Sequence, residues 1–138
     1  MASLVIERAA EEDLDLMWES GDPIAERAVA SIEILLEEIG CDVDFLSRMH
    51  SPNVRWLGEP SADTDRIVKL WRDGYNILRL KAWDQGALIP YRILYAYDPR
   101  YDCFHVLGIV HREHCYEIDH PRVKRIIADY HSLGIPTY

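Results

Sequence analysis

The sequence predicts an α+β fold in which helices come first, a small antiparallel sheet second and one helix last. Three observations lead there. The segment from Ile24 to Ile39 places Ile24, Ala28, Ile32, Leu35, Leu36 and Ile39 at intervals of three and four, the apolar stripe of an amphipathic helix. After Gly74 the pattern changes to runs of aromatic, branched and alternating residues separated by Asp84-Gln85-Gly86 and by Asp98-Pro99-Arg100-Tyr101-Asp102, as in hairpin-linked strands. Beyond Pro121 helical spacing returns with Val123, Ile126, Ile127 and Tyr130. Helices and strands that separate along the chain in this way define the α+β class.

Taken in order, Leu4-Val5-Ile6 predicts a short first strand, and Glu11 to Glu19 a short acidic helix stopped at Ser20-Gly21-Asp22-Pro23. The helix over Ile24–Ile39 is expected to end at Gly40, with Glu33, Glu37 and Glu38 on its solvated face. Asp42 to Met49 continues helically until Ser51-Pro52-Asn53 breaks it. Gly58-Glu59-Pro60-Ser61-Ala62-Asp63 reads as loop, after which Thr64 or Asp65 is expected to cap a short helix running to Trp71. Three strands follow, over Tyr75–Trp83, Tyr91–Tyr97 and Phe104–Val110, linked as a meander. The closing helix over Val123–His131 stops at Gly134 and Pro136.

At 138 residues and 49% hydrophobic the chain suits one domain over residues 1–138, with one buried core and an acidic helical N-terminal half. Nothing approaches the roughly 20 apolar residues that span a bilayer, and the N-terminus lacks a charged leader before an apolar block. Three cysteines without CxxC spacing fit a reducing compartment, so a soluble cytoplasmic protein with no membrane partner is expected. The formal net charge of -9 repels nucleic acid as a whole-molecule field. The sign is uneven, however: residues 1–65 hold four of the fifteen Lys and Arg, and residues 66–138 hold the other eleven. Charges farther apart than about 8 Å are largely screened at physiological salt, so a basic C-terminal half can still present a positive groove.

Several side chains in that half have the chemistry for RNA cleavage without metal. The reaction needs a base for the 2′-hydroxyl, cations for charge on phosphorus and an acid for the leaving oxygen. Arg79 and Lys81, two apart on a strand, share one face, while Leu78 and Leu80 turn the other way into the core. Such a pair is equally a solvated strand face. Arg92 lies within an apolar strand, so it either pairs with a carboxylate or faces a phosphate site. His111 and His114 titrate nearer neutrality than Tyr116, whose ordinary pKa near 10 makes it a poor base unless cations depress it. His111, His114, Cys115 and His120 are also of zinc-binding type, but no second ligand pair has the spacing of a structural site. The four tryptophans read as core or partner-contact residues.

The run Tyr91-Arg92-Ile93-Leu94-Tyr95, a turn, and an apolar strand ending Gly108-Ile109-Val110-His111-Arg112 with Tyr116 four places on resembles the RelE/ParE toxin superfamily. The likeness covers roughly residues 75–128 and extends before that only in layout. It implies a bacterial toxin that cuts mRNA in the ribosomal A site with a basic, tyrosine-bearing concave sheet face and no metal or other cofactor. In these terms Arg92 and Arg112 match transition-state arginines and Tyr116 a tyrosine of proton transfer. His111 and His114 stand as catalytic candidates on chemistry alone, and Arg79 and Lys81 as RNA-binding residues. The resemblance further implies a cognate antitoxin as partner. A ParE-like inhibitor that binds DNA gyrase, or a non-toxic interaction domain, are the alternatives; the acidic balance and the extended N-terminal half depart from the family.

Overall fold

The computed structural model describes residues 1–137. Its elements run β1 (Ser3–Ile6), α1 (Arg8–Trp18), α2 (Pro23–Gly40), α3 (Val43–Leu46), β2 (Arg55–Trp56), β3 (Ser61–Arg66), α4 (Val68–Arg72), β4 (Ile77–Asp84), β5 (Ala87–Asp98), β6 (Cys103–His111) and α5 (Pro121–Ser132). The strands form one six-stranded sheet in the order β1-β6-β5-β4-β3-β2. β1 lies parallel to β6, and every other neighbouring pair is antiparallel. The α+β class and the β4–β5–β6 meander are therefore as the sequence predicts. Among the described residues no helix is long and apolar enough to cross a membrane.

Local chemistry explains most boundaries. Asp22 accepts a hydrogen bond from the Ile24 N–H at 2.9 Å and Pro23 opens the first turn, which together start α2. The β4–β5 hairpin turns through Gln85 and Gly86, both at positive φ, where glycine has no Cβ to clash. Gly40 does not end α2 by a left-handed turn. It is the last helical residue, the right-handed Cys41 caps the helix, and the bare Gly40 backbone faces Leu4 of β1.

The single core expected from chain length is instead two layers, one on each sheet face. On one face α1 and α2 bury Leu14, Ile32, Leu35 and Ile39 against Leu80, Ile93, Tyr95 and Val106. On the other, α4 and α5 bury Leu70, Val123, Ile126 and Tyr130 against Ile77, Leu94 and Leu107. The cause is visible in neighbouring apolar pairs such as Ile77-Leu78 and Ile93-Leu94, which a strand must point to opposite sides.

The region 58–66 overturns the loop and helix-cap expectation. Ser61–Arg66 is strand β3, paired with β4 through Asp63 with Lys81 and Asp65 with Arg79. Thr64 does not cap a helix: its hydroxyl donates to the Ser51 carbonyl at 2.7 Å and accepts from the Val54 N–H at 3.0 Å. Tertiary partners thus outbid the local capping preference. α4 begins after Ile67 without a side-chain cap.

β1 stops at Ile6, which leaves the rest of the β6 edge open, and an ion cluster closes it. Asp13 of α1, 2% exposed, accepts from the Ile109 N–H at 3.0 Å and from two Arg125 nitrogens at 2.7 and 2.9 Å. Arg125 and Arg122 of α5 in turn donate to the Leu107 and Ile109 carbonyls. The side chains satisfy strand groups that would otherwise be orphaned. Gly108 permits this approach, since a Cβ there would meet Arg125 Nη2 at 2.6 Å.

Candidate functional site

The face of the sheet under α4 and α5 also carries charge. Register sets Lys81 directly opposite Arg92, and Arg79 opposite Leu94, so the three basic side chains project from the same side of β4 and β5. After β6 the chain doubles back over this surface. The turn buries Cys115 and brings Tyr116, half exposed, to Arg79.

Arg79 is 8% exposed and fully engaged. Its Nη1 donates to Asp63 at 3.0 Å, Nη2 to Asp65 at 3.4 Å and Nε to the Tyr116 hydroxyl at 3.4 Å. Burial pulls its pKa down, but the hydrogen bonds it donates to Tyr116 and Asp63 outweigh that and leave it raised. The tyrosine therefore meets Arg79 as its cation.

Arg92 is 7% exposed, and among the described residues no carboxylate pairs with it. Its Nη1 donates to the Ile89 carbonyl at 3.1 Å. Burial lowers its pKa, and repulsion from Arg79 and Arg112 adds to that. Of the two alternatives the sequence leaves open for Arg92, the carboxylate pair is not found among the described residues. The nearby Cys115 thiol is pushed up to about 11 by burial, against the pull of Arg92 and Arg79, so it is a neutral wall of the site.

Arg112 is exposed at the end of β6, its backbone N–H bonded to the Pro90 carbonyl at 2.9 Å. Lys81 is half-buried, with its ammonium 5.6 Å from the Trp83 ring centre. Beside Tyr116 opens a cleft of about 650 Å³ lined by Lys69, Glu117, Ile118, Asp119 and His120.

The histidines make their own contacts. His111 pairs with Tyr91 and packs edge-on against its ring at 5.1 Å, on the opposite side of β5 from Arg92. His114 bonds Glu117 at 3.0 Å and stacks on His120 at 4.3 Å, while His120 accepts from the Arg122 N–H at the start of α5. Among the described residues no three His, Cys, Asp or Glu side chains converge as a metal site.

Sequence reasoning missed Asp63 and Asp65. Their signal was the alternation Ser61-Ala62-Asp63-Thr64-Asp65, a period of two that belongs to a strand. The tryptophans divide: Trp56, partly buried, packs edge-on against Phe45 at the margin of the core, while Trp18 and Trp71 are exposed. No family model, curated protein or solved structure matches this chain.

Proposed function

We propose that this protein is the toxin of a bacterial toxin–antitoxin pair and acts as a metal-independent, ribosome-dependent mRNA endonuclease that stops translation. One observation carries the reading: Arg92 is a buried guanidinium with no carboxylate partner among the described residues, held on a sheet face beside Arg79, Lys81 and Tyr116. Burying a cation is costly unless something negative compensates it, and a substrate phosphate is a fitting compensator. The RelE/ParE resemblance of residues 75–128 supplies the substrate class.

In this reading the 2′-hydroxyl oxygen attacks the adjacent phosphorus as its proton leaves to a base, and the 5′-oxygen departs with a proton from an acid. A 2′,3′-cyclic phosphate and a free 5′-hydroxyl result. Arg92, Lys81 and, from the exposed strand end, Arg112 balance the charge that builds on the phosphoryl oxygens. Tyr116, oriented by Arg79, is the proton carrier in this reading. His114 remains a candidate on the turn above, whereas His111 faces away from Arg92 and drops from the reacting set.

The test is to induce the chain in bacteria and map new 5′-hydroxyl ends on a ribosome-bound reporter mRNA. Arrest with cleavage supports the reading, and co-expression of the cognate antitoxin should relieve it. A second reading is favoured by the carboxylates on Arg79, which neutralise a cation that a nuclease would use. It is a ParE-like, non-enzymatic inhibitor of DNA gyrase. Arrest with intact transcripts and blocked supercoiling would select it, and absence of arrest would mark a non-toxic interaction domain.

A further inference from the structure

The helical layer, on the sheet face away from Arg92, carries a second surface that the nuclease reading does not use. α1 and α2 leave a furrow along their seam made of two clefts. One, about 540 Å³, has Leu4 and Ile6 of β1 with Leu14 and Leu36 as its apolar floor. The other, about 310 Å³, continues towards Trp18 and shares Leu14, Asp15 and Glu33 with the first. Trp18 at its end is 58% exposed.

The rim is acidic throughout. Glu11, Asp15, Glu33 and Glu37 line the furrow, and no Lys, Arg or His lines either cleft. None of the four carboxylates forms an ion pair among the described residues; the one ion pair of α1 outside the Asp13 cluster joins Arg8 to Glu12. Like charges gathered along an apolar trough repel one another until a cation arrives, and water covers a floor that a partner's apolar side chains would bury. The furrow is also where the helix layer is incomplete: β1 is the outer strand, and its Leu4 and Ile6 are half-covered.

We infer that the α1–α2 furrow is a docking groove for a cationic amphipathic helix of a protein partner, whose apolar face covers Leu4, Leu14 and Leu36 and whose Lys or Arg residues meet the acidic rim. A helix is the occupant because two helices form the walls and a third laid between them completes the layer over β1. The charge complementarity sets partner choice and encounter rate, and the apolar floor and Trp18 supply the affinity. The inference stands independently of the nuclease reading.

The probe is a fluorescein-labelled peptide with Leu at positions i, i+3, i+4 and i+7 and Lys between, titrated with the full chain and followed by anisotropy and by Trp18 emission. Binding should blue-shift Trp18. It should weaken at least tenfold for Glu33→Gln/Glu37→Gln and for a peptide with Glu in place of Lys. A peptide with Ser for Leu should also lose binding. Trp18→Ala, an exposed change that spares the fold, should weaken binding and abolish the emission shift. Equal binding to wild type and Glu33→Gln/Glu37→Gln overturns the inference. So does equal binding of the Ser and Leu peptides, which would reduce the contact to adhesion on an acidic protein. No binding of the Leu/Lys peptide to wild type overturns it as well.

Discussion

Replacing Arg92 by methionine separates a functional arginine from a structural one by the sign of the stability change. The side chain is 7% exposed, and among the described residues it has no anionic partner. After relaxation a buried uncompensated ion still costs several kcal/mol, whereas the bond to the Ile89 carbonyl returns about 1 kcal/mol. Methionine keeps the aliphatic stem and discards the charge. Arg92→Met should therefore stabilise the fold by about 1–3 kcal/mol. With an unfolding entropy near 2.1 cal/mol/K per residue, that is a rise in Tm of roughly 3–10 °C for a chain of this length. The same change should depress cleavage by ~10²-fold or more. Calorimetry and reporter-mRNA mapping on the same preparation read both quantities. A loss of stability above ~1 kcal/mol would show that the guanidinium is a structural tie, and a stabilised protein that cleaves at the wild-type rate would remove Arg92 from the chemistry.

Arg112→Ala should leave Tm within the range of exposed substitutions, under about 1 kcal/mol, while cleavage falls ~10²-fold; Arg112→Lys should recover part of it, keeping the charge without the planar fork. Asp13→Ala strips the anion from Arg125 and an acceptor from the Ile109 N–H, so urea titration should show a loss of about 3–5 kcal/mol. Asp98 provides a pH test, because the hydrogen bond from Arg100 holds its pKa below the ordinary carboxylate value. A depressed folded pKa means stabilisation that is full above about pH 4 and lost as pH falls through the folded value. The gap in urea midpoint between wild type and Asp98→Asn should thus be wide at pH 6 and close in stronger acid.

The fold was legible where one period dominates. α2 and α5 show the helical repeat, and β4 to β6 show apolar runs cut by turn residues, so their existence and order follow from the chain alone. β3 was not, because Thr64 and Asp65 are good capping residues and their strand role depends on Ser51, Val54 and β4, which are distant in sequence or non-local in pairing. The site was legible in part for the same reason. Strand alternation puts Arg79 and Lys81 on one face, and the apolar setting of Arg92 marks it as buried, but whether a carboxylate lay within reach depended on strand β3 and on the turn after β6. The Asp13–Arg125 cluster joins residues 112 positions apart, and no local pattern announces it.

The net charge of -9 is the chief objection to an anionic substrate, and the distribution of charge in the fold answers it. The acids Glu11, Asp15, Glu33 and Glu37 belong to the helical layer, and Arg92 faces the opposite side of the sheet. Those carboxylates and a phosphate beside Arg92 would lie on opposite faces of the sheet, both open to solvent, where salt screens exposed charges more than about 8 Å apart. The acids that count are those at contact range. Asp63 and Asp65, at 3.0 and 3.4 Å, outweigh the single charge of Arg79, and Asp63 also stands opposite Lys81, which leaves Arg92 and Arg112 as the cations without a neighbouring carboxylate among the described ion pairs. On the proposed nuclease reading, such a site would suit one or two phosphates of a single strand and not the continuous backbone of a duplex, whose remaining phosphates would meet the acidic bulk of the protein. Selectivity of this kind follows from the location of a few charges, and the sum over the chain does not report it.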